Sequence, residues 1–416
     1  MEHAHRHHGR HHAKAPVDDL LGRSLRARPR AVVLGSAERP VPHLRRAVGL
    51  TPVVVTSVFA TYQLALMVVL PLFGNLSDLI GRRQVMLVGV ALIGASALVF
   101  AVAPNVGYLF VGRMLQGAGA GLAMGAATAS LVENNTTGNP RFASTVATVA
   151  TAAGLTLALL VSGIFAEYLP LPLVWSYVVL LALSAASIMA LLASPDDRPA
   201  VRAGWRPQTP FVPAGIRIGF AIATLSVALA YSVGAIFLSL GAHMIGQFTS
   251  TDNTAVVGAL LAMSAFFIGG TGLFLAKVPA RTLVWSGTAL TLLSLALMAA
   301  ASTVRSLPLF LAWCVVGGIA YSLAFTGGLG LINQLAPQHH RGAILSLLYL
   351  IAYTLQAVTA LGVGALATSG TLGLAVGAGA VGLGVLCLAT VVLLLVHPAP
   401  ARSTQMAPQQ GQPTGG

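Results

Sequence analysis

The stretch GNLSDLIGRR, from Gly74 to Arg83, places one acid and two arginines between two long apolar segments. A helix needs about 20 apolar residues to cross the hydrocarbon core of a bilayer, and both flanking segments reach that length. A charge buried in hydrocarbon costs about 2.5–3.5 kcal/mol on insertion scales, so the stretch itself is expected at a membrane surface. This arrangement predicts a helical protein that crosses the membrane repeatedly.

The composition agrees with this interpretation, since 56% of the 416 residues are hydrophobic and only 8% are charged. Soluble domains carry about 25% charged residues. The net charge of +13 does not indicate nucleic-acid binding, because the basic residues lie in short loops and in the N-terminal arm. Cys314 and Cys387 lie in apolar runs and are interpreted as small hydrophobic residues. The sequence contains no nucleophile–base pair or nucleotide-binding loop, so neither an enzyme, a cofactor nor a metal site is expected.

Eleven apolar segments are long enough to span a bilayer as helices. The first begins with Thr51 and Pro52, an N-cap residue followed by a proline in the first helical turn. The spans are expected at 52–73, 84–103, 107–132, 143–166, 172–194, 218–241, 254–275, 282–301, 307–333, 343–367 and 371–396.

The spans form two groups that are separated by a long polar connection. An N-terminal bundle at 50–194 is followed by a basic linker at 195–217 and by a six-helix bundle at 218–396. An arm rich in His and Arg at 1–49 and a Pro/Gln/Gly-rich tail at 397–416 flank them, and both are expected to be disordered. The arm's histidines lack ligand spacing, so a non-specific tail is favoured over a metal-sensing site.

The distribution of Lys and Arg predicts the orientation in the membrane. By the positive-inside rule, GNLSDLIGRR, the linker and the C-terminus are expected in the cytoplasm of a multi-pass protein of the plasma (inner) membrane. Outside the N-terminal arm, the opposite side carries Arg305 alone, and this side carries eleven: Arg82, Arg83, Arg141, Arg198, Arg202, Arg206, Arg217, Lys277, Arg281, Arg341 and Arg402.

The two halves align as repeats. A shift of 200 residues superimposes Gly117 on Gly317, and a shift of 198 residues superimposes Arg83 on Arg281. Two parallel halves joined by a linker are typical of transporters whose substrate site lies between the halves near the bilayer midplane.

GNLSDLIGRR resembles the loop signature of the major facilitator superfamily, which lies between the second and third helices of that fold. The segment GRMLQGAG, from Gly112 to Gly119, resembles the arginine motif of the fourth helix. Together with the repeat, the resemblance covers about residues 40–400. It implies an all-α polytopic membrane protein with two parallel pseudo-repeat bundles of the 12-helix type. The subfamilies that the chain resembles most are bacterial drug:proton antiporters and related efflux proteins.

The resemblance implies that the loop is a conformational latch, which closes the cytoplasmic side when the cavity faces outward. The glycines permit a tight turn, and the charged groups can bond helix ends and carboxylates. A solvated turn that only follows the positive-inside rule is the alternative, and it stays open for Arg83 in particular. The expected latch residues are Gly74, Asp78, Gly81, Arg82, Arg83 and Glu133.

Arg113 is expected to face a cavity, because it lies about six residues inside its span. In the antiporters that the chain resembles, the corresponding arginine contacts the first helix and takes part in proton coupling. Gln116 and Gly117 follow it, and Glu167 lies beside a span at its outer end. These four residues are the expected coupling and cavity group. The alternatives are an arginine that snorkels to the interface and an ordinary loop-edge acid.

Six residues of the second half are weaker candidates for a substrate cavity, and simple packing is the alternative for each of them. A largely uncharged lining favours a small lipophilic or neutral solute, so drug or metabolite efflux coupled to protons is expected. The expected partners are this solute, protons and the lipid bilayer, with no nucleic acid, and the protein is expected to be a monomer. The six residues are Tyr231, Trp313, Tyr321, Asn333, Tyr353 and Gln356.

One span is missing from this pattern, since GNLSDLIGRR belongs after a second helix and only one apolar span precedes it. The window 18–40 aligns with the first span of the second half, but its eight charged residues prevent insertion. We therefore expect that the first helix of the fold is lacking through an altered or misassigned start. A genuine eleven-span variant is the alternative. Two other functions stay open: a non-transporting membrane receptor or assembly protein, and a truncated, inactive transporter.

Overall fold

The computed structural model describes residues 52–73, 76–137, 142–195, 212–249, 251, 253–337 and 341–397. The predicted N-terminal arm, most of the predicted linker and the predicted tail therefore lie outside the described residues. Gly74 and Arg141 also lie outside them, as does the side chain of Asp78. Within the described residues the secondary structure is entirely helical, which confirms the predicted fold class.

Eleven long helices are present in these ranges. They are α1 Pro52–Phe73, α2 Arg82–Ala101, α3 Val106–Glu133, α4 Phe142–Tyr168, α5 Pro172–Ala193, α6 Arg217–Thr249, α7 Thr254–Gly272, α8 Ala280–Val304, α9 Leu307–Leu335, α10 Arg341–Ser369 and α11 Leu372–Val396. A short helix, Leu76–Ile80, lies between α1 and α2, and 3₁₀ turns at Ala214–Ile216 and Leu275–Lys277 precede α6 and α8.

The helix boundaries follow from local capping chemistry. The side chain of Asn253 accepts hydrogen bonds from the backbone N–H groups of Ala255 and Val256, so α7 begins directly after it. Ser306 and Thr371 cap α9 and α11 in the same way. The exception to the predicted bounds is α6, which continues past 241 to Thr249. Polar residues such as His243 end the apolar signal there, although no proline interrupts the helix.

Ten of these helices are long and apolar enough to cross a membrane. In the remaining helix, α1, the described apolar part is shorter and runs from Ala60 to Phe73. The chain therefore has the helices of a multi-pass membrane protein. We call the end of the bundle that carries Arg82, Lys277 and Arg281 the basic face, and the end that carries Arg305 the opposite face.

The helices form two halves, α1–α5 and α6–α11, with the same internal contacts. In the first half α2 packs against α3 and α5, and in the second half α8 packs against α9 and α11. The helix without a counterpart among the described residues is α6, which packs against α8, α9, α10 and α11 and is the most deeply buried of all. The described first half therefore lacks the central helix around which the second half is built.

Two helix pairs form the main contacts between the halves. Helix α4 packs against α7, and α1 packs against α10. The second pair meets in an apolar cluster that includes Leu66 and Leu70 of α1 and Leu348 and Ala352 of α10. Because lipid gives helices little hydrophobic drive to associate, such close packing is the main source of stability between them. We call these contacts of α4 with α7 and of α1 with α10 the seam between the halves. The predicted site residues are described below in relation to it.

Candidate functional site

The turn before α2 orients the two arginines of GNLSDLIGRR. Gly81 is the residue that precedes α2, and its backbone has φ 97° and ψ 146°, a conformation that is open almost only to glycine. Arg82 and Arg83 follow at once in the first turn of α2, so their side chains leave the helix in different directions at the basic face. A tight turn at this glycine therefore separates the contacts of the two arginines.

Arg82 forms a two-point ion pair with Glu133 at the end of α3. Its Nη2 donates to Oε1 at 2.6 Å and its Nε donates to Oε2 at 3.1 Å. Its remaining Nη1 donates to the hydroxyl of Ser77 in the short helix. The Arg82 side chain is 13% exposed, whereas that of Glu133 is 51% exposed. The pair thus ties the loop to α3 within the first half.

Arg83 binds main-chain oxygens at the end of another helix. Its Nε and Nη2 donate to the carbonyl oxygens of Leu191 and Leu192 at 2.6 Å and 2.8 Å, at the C-terminus of α5. In the second half, Nη2 of Arg281 donates to the carbonyl oxygen of Leu394, at the C-terminus of α11. The last carbonyl groups of a helix have no partner inside it and carry partial negative charge, so a cation satisfies them well.

Arg113 lies in α3 with its side chain buried at 7% exposure. Its Nη1 donates to Oε1 of Gln116 at 3.2 Å, and its guanidinium carbon lies 5.9 Å from the centre of the Phe100 ring. The guanidinium is also close enough to the Tyr62 phenol of α1 to interact electrostatically. The structure therefore brings Arg113 and Gln116 together on the side of α3 that approaches α1.

Gly117 makes that approach possible. A Cβ at this position would lie 2.3 Å from the carbonyl oxygen of Tyr62 and 2.9 Å from Cβ of Ala65. No side chain fits into this space, because real Cβ contacts are longer than 3 Å. The predicted glycine is therefore a point of backbone contact between α3 and α1, one turn from Arg113.

A cluster of aromatic rings fills the second-half side of the seam. The ring of Tyr231 in α6 lies 4.9 Å from that of Tyr353, 5.6 Å from that of Phe325 and 6.3 Å from that of Tyr321. The ring of Tyr349 lies 6.4 Å from that of Tyr353. We call these five residues the aromatic cluster. Three of them were predicted as cavity candidates. Phe325 and Tyr349 were not predicted, although each lies in the same apolar run as a predicted tyrosine.

The aromatic cluster reaches across to the first half. The hydroxyl of Tyr353 donates to the sulfur of Met124 in α3 at 3.4 Å, and the side chain of Tyr349 interacts with that of Thr128. Between α10 and α1, the hydroxyl of Thr354 lies 3.9 Å from the sulfur of Met67. Aromatic and thioether side chains adapt well to different apolar partners. The cluster is thus a contact region between α3, α6, α9 and α10.

The other three cavity candidates are not part of this group of rings. Trp313 is 1% exposed and packs between Phe237 and Phe310, with ring centres 5.1 Å and 5.5 Å away. The side-chain amide of Asn333 and the Oε1 atom of Gln356 are buried without a hydrogen-bond partner within the described residues. Oε1 of Gln63 on α1, which was not predicted, has the same property.

Glu167 lies at the last turn of α4 and contacts the second half. Its Oε2 accepts hydrogen bonds from the backbone N–H of Thr254 at 2.9 Å and from the Thr254 hydroxyl at 2.8 Å. Thr254 is the first residue of α7 at the opposite face. The sequence places Glu167 beside a span, but it does not reveal that the partner is a helix N-terminus of the other half.

The remaining titratable side chains of the described residues are widely separated or buried. Within the described residues no three His, Cys, Asp or Glu side chains are close enough to hold a metal ion. Cys314 and Cys387 are free and buried in helix-packing positions. Among the described residues, the contacts between the halves include aromatic rings, hydroxyls and the carboxylate of Glu167, and the buried guanidinium of Arg113 lies on the side of α3 that approaches α1. Aromatic rings and hydrogen-bonding groups suit recognition of an organic solute.

Comparison with known proteins gives the following matches. The family model described as "Major Facilitator Superfamily" matches residues 40–303. A lincomycin resistance protein of Streptomyces lincolnensis is 33% identical over 116 residues, which cover 28% of this chain and 23% of that protein. The crystal structure of the human organic anion transporter MFSD10 (TETRAN) matches with a TM-score of 0.65 and 16% identity, over 85% of this chain and 88% of that one. The last match shows a shared fold.

Proposed function

Since the chain belongs to the major facilitator superfamily, we propose that it is a secondary active transporter that exports a small lipophilic or neutral solute by alternating access. The family and the fold already indicate a membrane transporter with a small-molecule substrate rather than an enzyme. The nature of the solute, the direction of transport and its coupling to protons are the proposed parts. Each of them draws on a separate observation.

The aromatic cluster is the observation that supports a lipophilic or neutral solute. Its rings and the sulfur of Met124 lie where the two halves meet, and the cluster itself contains no charged side chain. Arg113 carries a buried positive charge on α3, the helix that also carries Met124, and this charge disfavours a cationic solute. The Oε1 atoms of Gln63 and Gln356, which have no hydrogen-bond partner within the described residues, can accept hydrogen bonds from polar groups of the solute. Trp313 and Asn333 remain weaker proposals.

The basic face is proposed to be the cytoplasmic side, and GNLSDLIGRR is proposed to close it. The ion pair between Arg82 and Glu133 attaches the loop to α3. In this proposal, Gly74 and Gly81 permit the turn that would bring the carboxylate of Asp78 to the second half. Arg83 would hold α5 against the start of α2. Opening of the cavity to the cytoplasm would then require this contact to break.

The proposals of export and of proton coupling rest on fewer residues than the proposed class of solute does. The name of the lincomycin resistance protein, to which 28% of the chain is similar, favours the export of a drug or metabolite. Arg113, Gln116, Gly117 and Glu167 are the proposed coupling residues, because Arg113 is buried in α3 and Glu167 joins the halves. The protein is proposed to work as a monomer in the plasma membrane.

An efflux assay in a hypersensitive host tests the proposal. Cells that express the full chain should accumulate less of at least one neutral, lipophilic compound from a panel than cells with an empty vector. A proton uncoupler should abolish the difference, and Arg113→Ala should lack it. Equal accumulation of every compound in a membrane-inserted protein would contradict export, and an effect that survives the uncoupler would contradict proton coupling.

A further inference from the structure

The contact between Glu167 and Thr254 joins the two halves at the opposite face. Two hydrogen bonds of 2.8 Å and 2.9 Å end on one carboxylate oxygen, and Thr254 is only 2% exposed. The carboxylate belongs to the last turn of α4, and the two donor groups belong to the first residue of α7. The bond is therefore made at the ends of the two helices that form one of the main seams.

The physics of a helix N-terminus makes this contact favourable. The first backbone N–H groups of a helix have no partner within it, and the helix dipole places partial positive charge there. In α7, the side chain of Asn253 accepts from Ala255 and Val256, whereas the N–H of Thr254 is taken by Glu167. One part of this cap thus comes from the second half itself, and the other comes from the first half.

A glycine contact lies one turn below this cap. A Cβ on Gly163 of α4 would lie 3.0 Å from the carbonyl oxygen of Thr254 and 3.2 Å from Cα of Gly258. A Cβ on Gly258 would lie 2.8 Å from the carbonyl oxygen of Leu159. The backbones of α4 and α7 therefore touch, and the cap and the glycine contact close the seam together at the opposite face.

We propose that Glu167 is a fastener for the opposite face: its carboxylate holds the N-terminus of α7 against α4 while that face is closed, and it releases Thr254 when the cavity opens there. This inference rests on the proposed alternating access, and it assigns Glu167 a positioning role. Its counterpart at the basic face is the proposed latch at Asp78. Each face is then closed by a carboxylate of the first half, Glu167 at the opposite face and Asp78 at the basic face, and the two contacts oppose each other in the transport cycle.

A cysteine introduced at a buried position between α4 and α7 can show whether the contact between Glu167 and Thr254 is closed. This measurement does not depend on transport activity. Leu159 is 2% exposed and packs among residues of the second half. In a background with Cys314→Ala and Cys387→Ala, Leu159→Cys is exposed to a membrane-impermeant maleimide from the Thr254 side when α4 and α7 separate. Glu167→Ala should raise the labelling rate about tenfold, which corresponds to about 1.4 kcal/mol in favour of the open state.

Matched variants define the chemistry that is required. Glu167→Gln keeps an acceptor oxygen at the same distance and should raise the rate much less than Glu167→Ala. Thr254→Val removes only the hydroxyl and should give an intermediate rise, which keeps the test valid if Glu167→Ala does not reach the membrane. Glu133→Ala removes an acid from the basic face and should not raise labelling from the Thr254 side.

The labelling and transport results separate the two proposals. Labelling rates in Glu167→Ala and Thr254→Val that equal the parent rate would overturn the fastener, whatever the transport activity. A rise in labelling in a protein that moves no compound of the panel would support the fastener and contradict the proposed function. A loss of transport without a change in labelling would assign Glu167 another role and also overturn the fastener.

Discussion

Arg113 is held by a hydrogen bond and by a neighbouring aromatic ring. It donates to Gln116, lies beside the Phe100 ring and remains buried in α3. Arg113→Ala should lose a charge-assisted interaction of about 1.5–3 kcal/mol, and transport should fall about tenfold or more. Arg113→Lys should restore little, because an ammonium lacks the planar fork. Initial efflux rates at equal membrane abundance provide the measurement.

A matched arginine away from the seam provides the control for this prediction. Arg305 is exposed and ends α8 with φ 54°, so Arg305→Gly removes a charge without straining the backbone. Efflux by Arg305→Gly should stay at the parent rate. Full activity in Arg113→Ala would remove Arg113 from the mechanism, and full activity in Arg113→Lys would show that only a positive charge is needed.

Gly81 allows a second prediction at this scale. Its φ of 97° is accessible to an alanine only with strain, which costs about 1–3 kcal/mol. Gly81→Ala should therefore lower the melting temperature of the purified protein in detergent. Gly125→Ala is the control, because a Cβ there meets nothing within 4 Å and should leave the melting temperature unchanged. Equal melting temperatures for both variants would show that the turn relaxes without cost.

Among the helices, Arg83 and Arg281 make equivalent contacts. Each binds the C-terminus of the last helix in its own half, α5 for Arg83 and α11 for Arg281. Arg83→Met should loosen the last turn of α5 and leave α11 unchanged, whereas Arg281→Met should do the reverse. An interaction of this kind is worth up to about 2 kcal/mol when it is partly buried. Hydrogen exchange of the two helix ends measures both effects, and each variant serves as control for the other. Unchanged exchange at both ends would contradict the capping role.

The elements themselves were largely predictable, because length and hydropathy are sufficient to locate a helix in lipid. The helix at Pro52–Phe73 has the predicted bounds, and α4 extends the predicted 143–166 only to Phe142–Tyr168. The contacts at helix ends were less predictable. Arg83 and Glu167 bind backbone groups, and no residue type in the sequence marks which carbonyl or N–H group will lie opposite.

The orientation of the whole molecule gives the last prediction. The eleven-to-one distribution of Lys and Arg predicts that GNLSDLIGRR lies in the cytoplasm and that residues 250–253, which follow α6, lie outside. Single cysteines at Asn75 and Ser250, in the background without Cys314 and Cys387, should therefore react with impermeant reagents from opposite sides of the membrane. The cysteine-free protein is the control. Reaction of both cysteines from outside would contradict the orientation.

At this scale the sequence predicted the two halves better than the seam between them. The 200-residue repeat superimposes Trp313 on Arg113, yet Trp313 packs against Phe237 and Phe310. Equivalent positions in two repeats have different neighbours wherever the side chains that surround them differ in size and polarity. Tyr349 was not predicted, yet it belongs to the aromatic cluster. Its place there depends on the rotation of α10 relative to α6, which no local sequence pattern encodes.

The paired arginine contacts also have an evolutionary consequence. If the halves arose by duplication of one ancestral gene, an arginine that binds main-chain oxygens is under a different kind of selection from one that binds a carboxylate. Its acceptor exists whatever side chain is present at positions 191, 192 and 394. Mutations there can accumulate without a compensating change at Arg83 or Arg281. The two arginines can therefore persist as a trace of common ancestry after most of the surrounding sequence has diverged.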